Sequence, residues 1–261
     1  MSLPTPRTMS PSKVATFRKC ALAFRFSAID RLPESPTPQA LKGTLVHRAL
    51  ERLFWNHEPG RRTPGAACGE LGEAFSEPDT MAALAALELP EKAVTDLRRD
   101  AEQLVASYFS LENPDEVNFI GVELGLEANV GGVRLRGIID RLDLTSTGEL
   151  VITDYKTGRV PREGHEHGNF AGVHYYALLC ERVLGRRPVH LRLMYLREPV
   201  TISVEPTAQS LAGLSRRTEA IWSAIERACA SEDFRPKPSA LCGWCSFQSL
   251  CPAWVGGIRA G

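Results

Sequence analysis

The sequence has 261 residues, with 31 basic and 31 acidic side chains and a formal net charge of zero. Its 43% hydrophobic content is ordinary for a globular protein, and no apolar run is long enough to span a membrane. No signal-like segment opens the chain, so we expect a cytoplasmic location and no membrane partner. Because the charge is balanced, a contact with a polyanion must come from a local basic surface.

The predicted elements begin with helices. After a start rich in Pro and Ser, a short helix is expected at 12–26, followed by a Pro-rich connection at 32–38. A helix at about 40–56 carries apolar residues at helical spacing. Residues 57–80 are rich in Gly and Pro and predict a loop. Another helix is expected at about 91–111.

The apolar pattern then changes to the period of strands. Helices, a strand meander and a helical crossover together indicate an α/β fold with a mixed central sheet flanked by helices. We expect this to form one domain over residues 1–261. The predicted elements are strands at 119–128, 133–144 and 150–156, a loop at 158–168, a helix at 170–184, strands at 189–196 and 200–204, and a helix at 208–230.

The segment 137–158, GIIDRLDLTSTGELVITDYKTG, carries the chemistry. Asp140 lies in one predicted strand, and Asp154 and Lys156 project from the same face of the next strand, because strand side chains alternate. Paired carboxylates can hold Mg²⁺ or Mn²⁺, and a lysine can orient an attacking water. These three residues are the predicted catalytic residues for phosphodiester hydrolysis. Since D-x-K is a common pattern, a surface hairpin with ordinary charge pairs is the alternative.

Four motifs, taken in order, resemble those of the RecB-like exonucleases of the PD-(D/E)xK superfamily. They are GTLVH (43–47), GIIDRLD (137–143), DYKTG (154–158) and YYALL (175–179). The order is similar to that in the iron–sulfur CRISPR-associated adaptation nucleases and in the AddB nuclease domain. The resemblance implies a restriction-endonuclease-like fold. It also implies a metal-dependent DNA nuclease, either an exonuclease or an end-processing enzyme, in DNA repair or recombination.

The resemblance also implies a set of metal ligands. His47, Asp140 and Asp154 would bind Mg²⁺ or Mn²⁺ with the backbone carbonyl of Tyr155, while Lys156 assists catalysis. Considered alone, His47 at the edge of an apolar stripe is more often a half-buried packing residue.

Two further positions are less closely matched to the family. Tyr176 is expected to contact DNA, but the family's glutamine four residues before it is Gly172 in this chain. A tyrosine that faces the core is the alternative reading. Glu123, on the preceding strand, is expected to be an outer group of the metal site at most.

Three cysteines crowd the segment CGWCSFQSLC, namely Cys242, Cys245 and Cys251. In a chain without an export signal, such crowding indicates metal binding rather than disulfides. The resemblance supplies Cys20 as a fourth ligand and implies a [4Fe–4S] cluster joining 12–30 to 236–254. Zinc held by the same thiolates is the main alternative, and unligated cysteines are another. Cys229 could also compete for the fourth position.

Basic residues near the carboxylates predict where DNA would bind. Arg141, Arg159 and Arg162 are candidate phosphate contacts, although such charges are often merely solvated. No base-reading motif is visible, so binding should be sequence-independent and favour single-stranded or free-end DNA, with a helicase as a candidate partner. Two other functions fit the sequence, a catalytically silent module that binds DNA or a helicase, and an iron–sulfur redox or scaffold protein.

Overall fold

The computed structural model describes residues 2–161 and 166–255, without the side chains of 166–169 and 255. The chain divides into two compact units. Unit 1 comprises residues 1–35, 127–137 and 208–261, and unit 2 comprises residues 36–126 and 138–207. The expectation of a single nuclease domain stays a prediction.

The helices and strands follow one another in the predicted order: helices, three strands, a helix, two strands and further helices. The helices are α1 (Pro11–Lys19), α2 (Ala21–Phe24), α3 (Pro38–Asn56), α4 (Pro64–Ser76), α5 (Pro78–Ala86), α6 (Glu91–Tyr108), α7 (Glu166–Leu184), α8 (Ala208–Ser231) and α9 (Pro252–Val255). The strands are β1 (Phe119–Val130), β2 (Val133–Leu144), β3 (Leu150–Lys156), β4 (His190–Tyr195) and β5 (Val200–Val204). A π-helical turn covers Arg25–Ile29, and short 3₁₀ helices cover Pro114–Glu116, Ala240–Trp244 and Gln248–Leu250.

Helix α3 forms where its apolar spacing predicts it. The Thr37 hydroxyl accepts a hydrogen bond from Ala40 N–H at 3.1 Å, and Pro38 occupies the first turn, where its missing N–H costs nothing. Its apolar side chains are buried in the core of unit 2, against α4 and α6. The buried residues of α3 are Leu45, Val46, Ala49, Leu50, Leu53 and Phe54.

The loop predicted at 57–80 is wrong, because most of this segment forms α4 and the start of α5. Pro64 and Pro78 each occupy a first helical turn, a position that favours proline. Ala67, Leu71 and Phe75 are buried in the core, and this packing outweighs the low helix propensity of the glycines. Proline disrupts the interior of a helix but not its first turn, so proline content alone does not predict a loop.

The five strands form one mixed sheet in the order β1-β2-β3-β4-β5. Strands β2 and β3 are antiparallel, β3 and β4 are parallel, and β4 and β5 are antiparallel. Helix α7 connects the parallel pair, as a crossover between parallel strands requires. The predicted α/β class with a mixed, helix-flanked sheet is confirmed. Helix α7 begins at Glu166 rather than Phe170, and residues 162–165 of the predicted loop lie outside the described residues.

Unit 1 gathers segments that are distant in sequence. Met9 pairs with the start of β2, donating to Arg134 O and accepting from Arg136 N–H, each at 2.8 Å. Leu3 N–H donates to Cys229 O at 3.0 Å, which attaches the N-terminal segment to α8. The predicted short helix at 12–26 is divided among α1, α2 and the π-helical turn. No helix in the described part of the chain combines the length and apolarity needed to cross a membrane.

Candidate metal centre

Strand pairing brings the two predicted catalytic carboxylates together. Arg141 pairs with Thr153, so Asp140 and Asp154 are the next residues on the facing ends of β2 and β3. Tyr155 N–H donates to Asp140 Oδ2 at 2.8 Å, which fixes the orientation of that carboxylate. Lys156 forms an ion pair with Asp154 Oδ2, as expected for side chains two residues apart on one strand face. The hairpin therefore places all three groups at one end of the β2–β3 pair.

Helix α3 and strand β1 contribute two more side chains with atoms that can ligate a metal. His47 Nδ1 lies 3.4 Å from Asp140 Oδ2. Glu123 has a left-handed backbone with φ of 45°, which is uncommon for a residue other than glycine and interrupts the regular strand. One donor atom from each of His47, Glu123 and Asp140 lies within 4.8 Å of the other two. This separation allows the three side chains to share one cation.

The donors line an open cleft of about 360 Å³. Gly43, Arg48 and Glu51 of α3 form one wall. A Cβ on Gly43 would lie 3.4 Å from Thr157 Oγ1, at the limit of ordinary van der Waals contact. Helix α3 thus passes beside the residue that follows β3, and His47 of the same helix reaches Asp140.

The close acidic groups disturb one another's protonation. Burial, followed by the charge of Asp140, raises the pKa of Asp154 to about 6, although Lys156 opposes this change. Burial, with the charges of Asp140 and Glu51, raises the pKa of Glu123 to about 7. Burial acts to lower the pKa of His47, but its hydrogen bond to Asp140 and the neighbouring carboxylates outweigh burial and raise it. A divalent cation would offset the repulsion among these carboxylates.

The ligand atoms of the site suit a hard cation. Asp154 Oδ2 is inaccessible to solvent and contacts the ammonium of Lys156, its ion-pair partner. With Asp140, Glu123 and His47 nearby, the donor set is mostly oxygen, which suits Mg²⁺ or Mn²⁺.

Arg141 is not a surface phosphate contact in this structure. Its side chain is fully buried and hydrogen-bonds to Asp143, Tyr108 and Tyr155, and it forms an ion pair with Glu112. The expected DNA contact is therefore corrected, because no surface of this guanidinium is accessible. Its bond to the Tyr155 hydroxyl, at 2.8 Å, supports the residue whose N–H orients Asp140.

The other predicted DNA contacts differ in position. Arg159 is exposed just beyond β3, and Arg162 lies outside the described residues. Tyr176 is half-buried in α7, and burial and the charges of Asp154, Asp140 and Glu123 raise the pKa of its phenol above the usual range. At Gly172 an added Cβ would meet open space, so a side chain could begin there without a clash.

All four predicted cluster cysteines lie in unit 1 as half-buried free thiols. Cys20 Sγ accepts a hydrogen bond from Lys237 N–H at 3.5 Å, which brings Cys20 close to the C-terminal segment. Cys242 Sγ accepts from Ser239 N–H at 3.2 Å. Within the described residues, no three cysteine sulfurs lie within 4.8 Å of one another.

The profile of the PD-(D/E)XK nuclease superfamily matches residues 8–252. The chain belongs to this superfamily. The match includes the helix that carries His47, the hairpin that carries Asp140 and Asp154, and all four predicted cluster cysteines.

Two phage proteins and one solved structure are similar to this superfamily member. Gene 69 protein of Mycobacterium phage L5 is 28% identical over 136 residues, which cover 51% of this chain and 44% of the phage protein. Gene 69 protein of Mycobacterium phage D29 is 24% identical over 181 residues, covering 62% and 66%, respectively. The matched segments thus span less than two thirds of either phage protein.

The solved structure comes from Eubacterium rectale and is named as a candidate exonuclease. It superposes on this superfamily member with a TM-score of 0.57 at 12% identity, over 98% of this chain and 90% of that chain. At this identity the likeness concerns the fold, and it agrees with the superfamily assignment.

The sequence predicts Glu123 only as an outer group of the metal site. In the structure its carboxylate shares the donor group of His47 and Asp140. One signal was available, since Gly121 and Gly125 flank Glu123 within a strand, and glycines there often mark an irregularity. The left-handed φ of Glu123 is such an irregularity, and it redirects the side chain relative to a regular strand.

We expect Asp154→Asn to stabilise the metal-free form of this superfamily member at neutral pH. The folded-state pKa is raised from 3.8 to about 6, so the charged carboxylate destabilises the fold once pH rises through that interval. The cost is on the order of 3 kcal/mol, or roughly 6–12 °C in melting temperature. Thermal unfolding in chelator measures it, and the difference between wild type and Asp154→Asn should vanish below pH 3.8.

Added Mg²⁺ provides the matched comparison. Millimolar Mg²⁺ should raise the melting temperature of the wild type but not that of Asp154→Asn, because a ligand stabilises only the state that binds it. Equal Mg²⁺-induced shifts in both proteins would mean that Asp154 is not a ligand.

Proposed function

We propose that the chain is a divalent-metal-dependent deoxyribonuclease of the RecB-like branch. It would act as an exonuclease or end-processing nuclease in DNA repair or recombination. The observation that carries the proposal is the group formed by His47, Glu123 and Asp140, beside the ion pair of Asp154 and Lys156. The charge of Asp140 helps to raise the pKa of both Glu123 and Asp154, and a divalent cation would offset this repulsion.

The proposed roles follow from the position of each side chain. Asp140, Asp154 and His47 would hold Mg²⁺ or Mn²⁺ with the Tyr155 carbonyl, and Glu123 is added to this set. The cation would supply the positive charge that polarises a phosphate and acidifies water at the site. Lys156, with its ammonium partly exposed, would orient a water molecule and stabilise the negative charge developing on the phosphate.

The proposed DNA contacts are Arg159, Arg162 and Tyr176. Arg159 is exposed and close in sequence to Lys156, and burial and the carboxylates of the site raise the pKa of the Tyr176 phenol. Phosphate contacts carry no sequence information, so cleavage would be sequence-independent. A helicase partner is part of the proposal only through the RecB-like resemblance.

An assay with end-labelled single-stranded and duplex DNA tests the proposed activity. The protein, purified without oxygen, should release labelled products when Mg²⁺ or Mn²⁺ is present and none in chelator. A second DNA of the same length and composition but scrambled sequence should be degraded at a rate similar to that of the first. DNA retention without hydrolysis, under every metal condition, would contradict the nuclease proposal and favour a silent binding module.

We also propose that Cys20, Cys242, Cys245 and Cys251 hold a [4Fe–4S] cluster. Contacts between the two segments support it, since Phe26 and Phe247 have ring centroids 5.5 Å apart and Lys237 N–H reaches Cys20. Zinc held by the same four thiolates stays the alternative.

Replacing Cys245 with Ser should remove the cluster and lower stability. The loss of a crosslink between distant segments typically costs about 2–5 kcal/mol, or roughly 4–20 °C in melting temperature at this size. Iron content and visible absorbance report the cluster, and zinc analysis reports the alternative. Cys68→Ser, at another half-buried cysteine, should leave both unchanged. Iron retained at the wild-type level in Cys245→Ser would contradict the ligand assignment.

A further inference from the structure

The chain is neutral overall, but its two units carry opposite net charges. Unit 1 contains 14 basic and 7 acidic residues and has a formal net charge of +7. Unit 2 contains 17 basic and 24 acidic residues and has a formal net charge of −7. The candidate metal centre is therefore in the acidic unit. Phosphate contacts in unit 2 therefore depend on local basic residues such as Arg159, and unit 1 offers a second source of affinity for DNA.

Unit 1 exposes a set of large apolar side chains on its C-terminal segment. Successive backbone turns fold 240–254 compactly, with Cys245 N–H bonded to Cys242 O and Trp254 N–H bonded to Cys251 O. Phe247 points inward and is buried against Phe26. We call the outward residues the tryptophan surface, and they are Leu241, Trp244, Leu250 and Trp254.

Two of these four side chains are tryptophans. Trp244 is 86% exposed and Trp254 is 45% exposed. Large exposed apolar side chains gathered on one short segment mark an interaction site. Its flat indole face can stack on a nucleic-acid base of any identity.

Exposed basic side chains accompany the tryptophan surface within unit 1. Arg18 and Lys19 end helix α1 immediately before Cys20. The backbone of Lys237 reaches the Cys20 sulfur, which brings a third basic residue to that position. In the described part of the chain these three exposed side chains have no acidic partner. They are therefore available to contact phosphates.

We propose that unit 1 binds single-stranded DNA, with bases stacked on Trp244 and Trp254 and phosphates held by Arg18, Lys19 and Lys237. This inference rests on the proposed function, in which DNA is the substrate, and assigns the binding of the strand to the basic unit. Aromatic faces combined with basic side chains are the general means of holding single strands without sequence preference. In duplex DNA the bases are already stacked on each other, so they cannot stack on the indoles.

An anionic lipid surface is the other polyanion that tryptophan and lysine could contact. The single strand is favoured because the same chain carries a candidate phosphodiesterase centre in an acidic unit, to which unit 1 adds a second source of DNA affinity. Vesicle binding is accordingly an outcome of the test rather than part of the proposal.

Binding by the full-length protein in chelator tests the proposal without cleavage. Fluorescence anisotropy of a labelled oligothymidylate of about 20 nucleotides, longer than typical single-strand site sizes, gives the affinity. Trp244→Ala and Trp254→Ala should each weaken binding about 5- to 100-fold, the range found for the loss of one stacked base. Lys19→Ala and Lys237→Ala should each reduce the slope of log affinity against log salt by about 0.7.

Matched controls come from unit 2. Trp55→Ala removes a tryptophan that is 74% exposed, and Lys92→Ala removes an exposed lysine, and both variants should bind as the wild type does. Thermal unfolding confirms that the unit 1 variants are folded. Wild-type affinity in both Trp244→Ala and Trp254→Ala would overturn the proposal, as would binding to phosphatidylserine vesicles without binding to DNA. Because cleavage is not measured, a failed nuclease assay would leave this result interpretable.

Discussion

Replacing Asp140 or Lys156 with Ala should reduce the rate of DNA hydrolysis by at least about 100-fold, the scale found when one group that stabilises transition-state charge is removed. Asp140 shares a donor group with His47 and Glu123, and Tyr155 N–H orients its carboxylate. Lys156 carries the ammonium of the site and pairs with Asp154. Initial rates on end-labelled DNA at saturating Mn²⁺ measure the loss.

The two variants should differ in a second measurement. Asp140→Ala removes a proposed ligand, so Mg²⁺ should no longer raise the melting temperature. Lys156→Ala keeps the ligands, so that stabilisation should remain although hydrolysis is lost. This difference would separate metal binding from catalysis.

Glu149→Gln is the control on the same hairpin. Glu149 is exposed in the turn between β2 and β3, where it accepts a hydrogen bond from Thr147, and its replacement should leave the rate within about twofold of wild type. Hydrolysis that survives in both Asp140→Ala and Lys156→Ala would place the active site elsewhere.

Arg141→Met should destabilise the protein by about 3–5 kcal/mol, because removing one partner of a buried ion network leaves the other charges uncompensated. Arg141 is fully buried, and its loss would strand Asp143 and Glu112 without their counter-ion. The guanidinium also lies over the Phe54 ring, 4.7 Å from its centroid. Chemical denaturation would show the midpoint shifted well below that of wild type.

Arg134→Met is the matched control for Arg141→Met. Arg134 is on the same strand, β2, but it is exposed and pairs with Glu127 at the surface. Exposed ion pairs contribute about 0–1 kcal/mol, so little change is expected. If Arg141 instead contacted phosphate, Arg141→Met would unfold like wild type and lose affinity for DNA. That outcome would restore the interpretation made from sequence alone.

Much of the candidate site could be predicted because it is local in sequence. A hairpin and the alternation of strand side chains bring Asp140, Asp154 and Lys156 together without reference to the rest of the fold. His47 was placed through its position four residues after Gly43, as in the motif of the family. The sheet and most helices followed from apolar periodicity for the same local reason.

The predictions that differ from the structure concern residues whose burial or orientation depends on contacts with distant parts of the chain. Arg141 was expected at the surface because arginine is usually solvated, but Glu112, distant in sequence, supplies the counter-charge that allows burial. Helix α4 was read as a loop because the buried contacts of Leu71 and Phe75 are invisible in composition. Glu123 was underestimated because its side-chain direction depends on a left-handed backbone.

The sequence by itself determined the superfamily, the succession of strands along the chain and the hairpin that carries Asp140 and Asp154, since each depends on neighbouring residues or on a short repeat of side-chain direction. Only the tertiary structure decided which charges are buried and how the 62 charged residues of a neutral chain divide into a basic and an acidic unit. The physical reason is that burial and electrostatic fields depend on distances in space, and a linear sequence gives only separations along the chain.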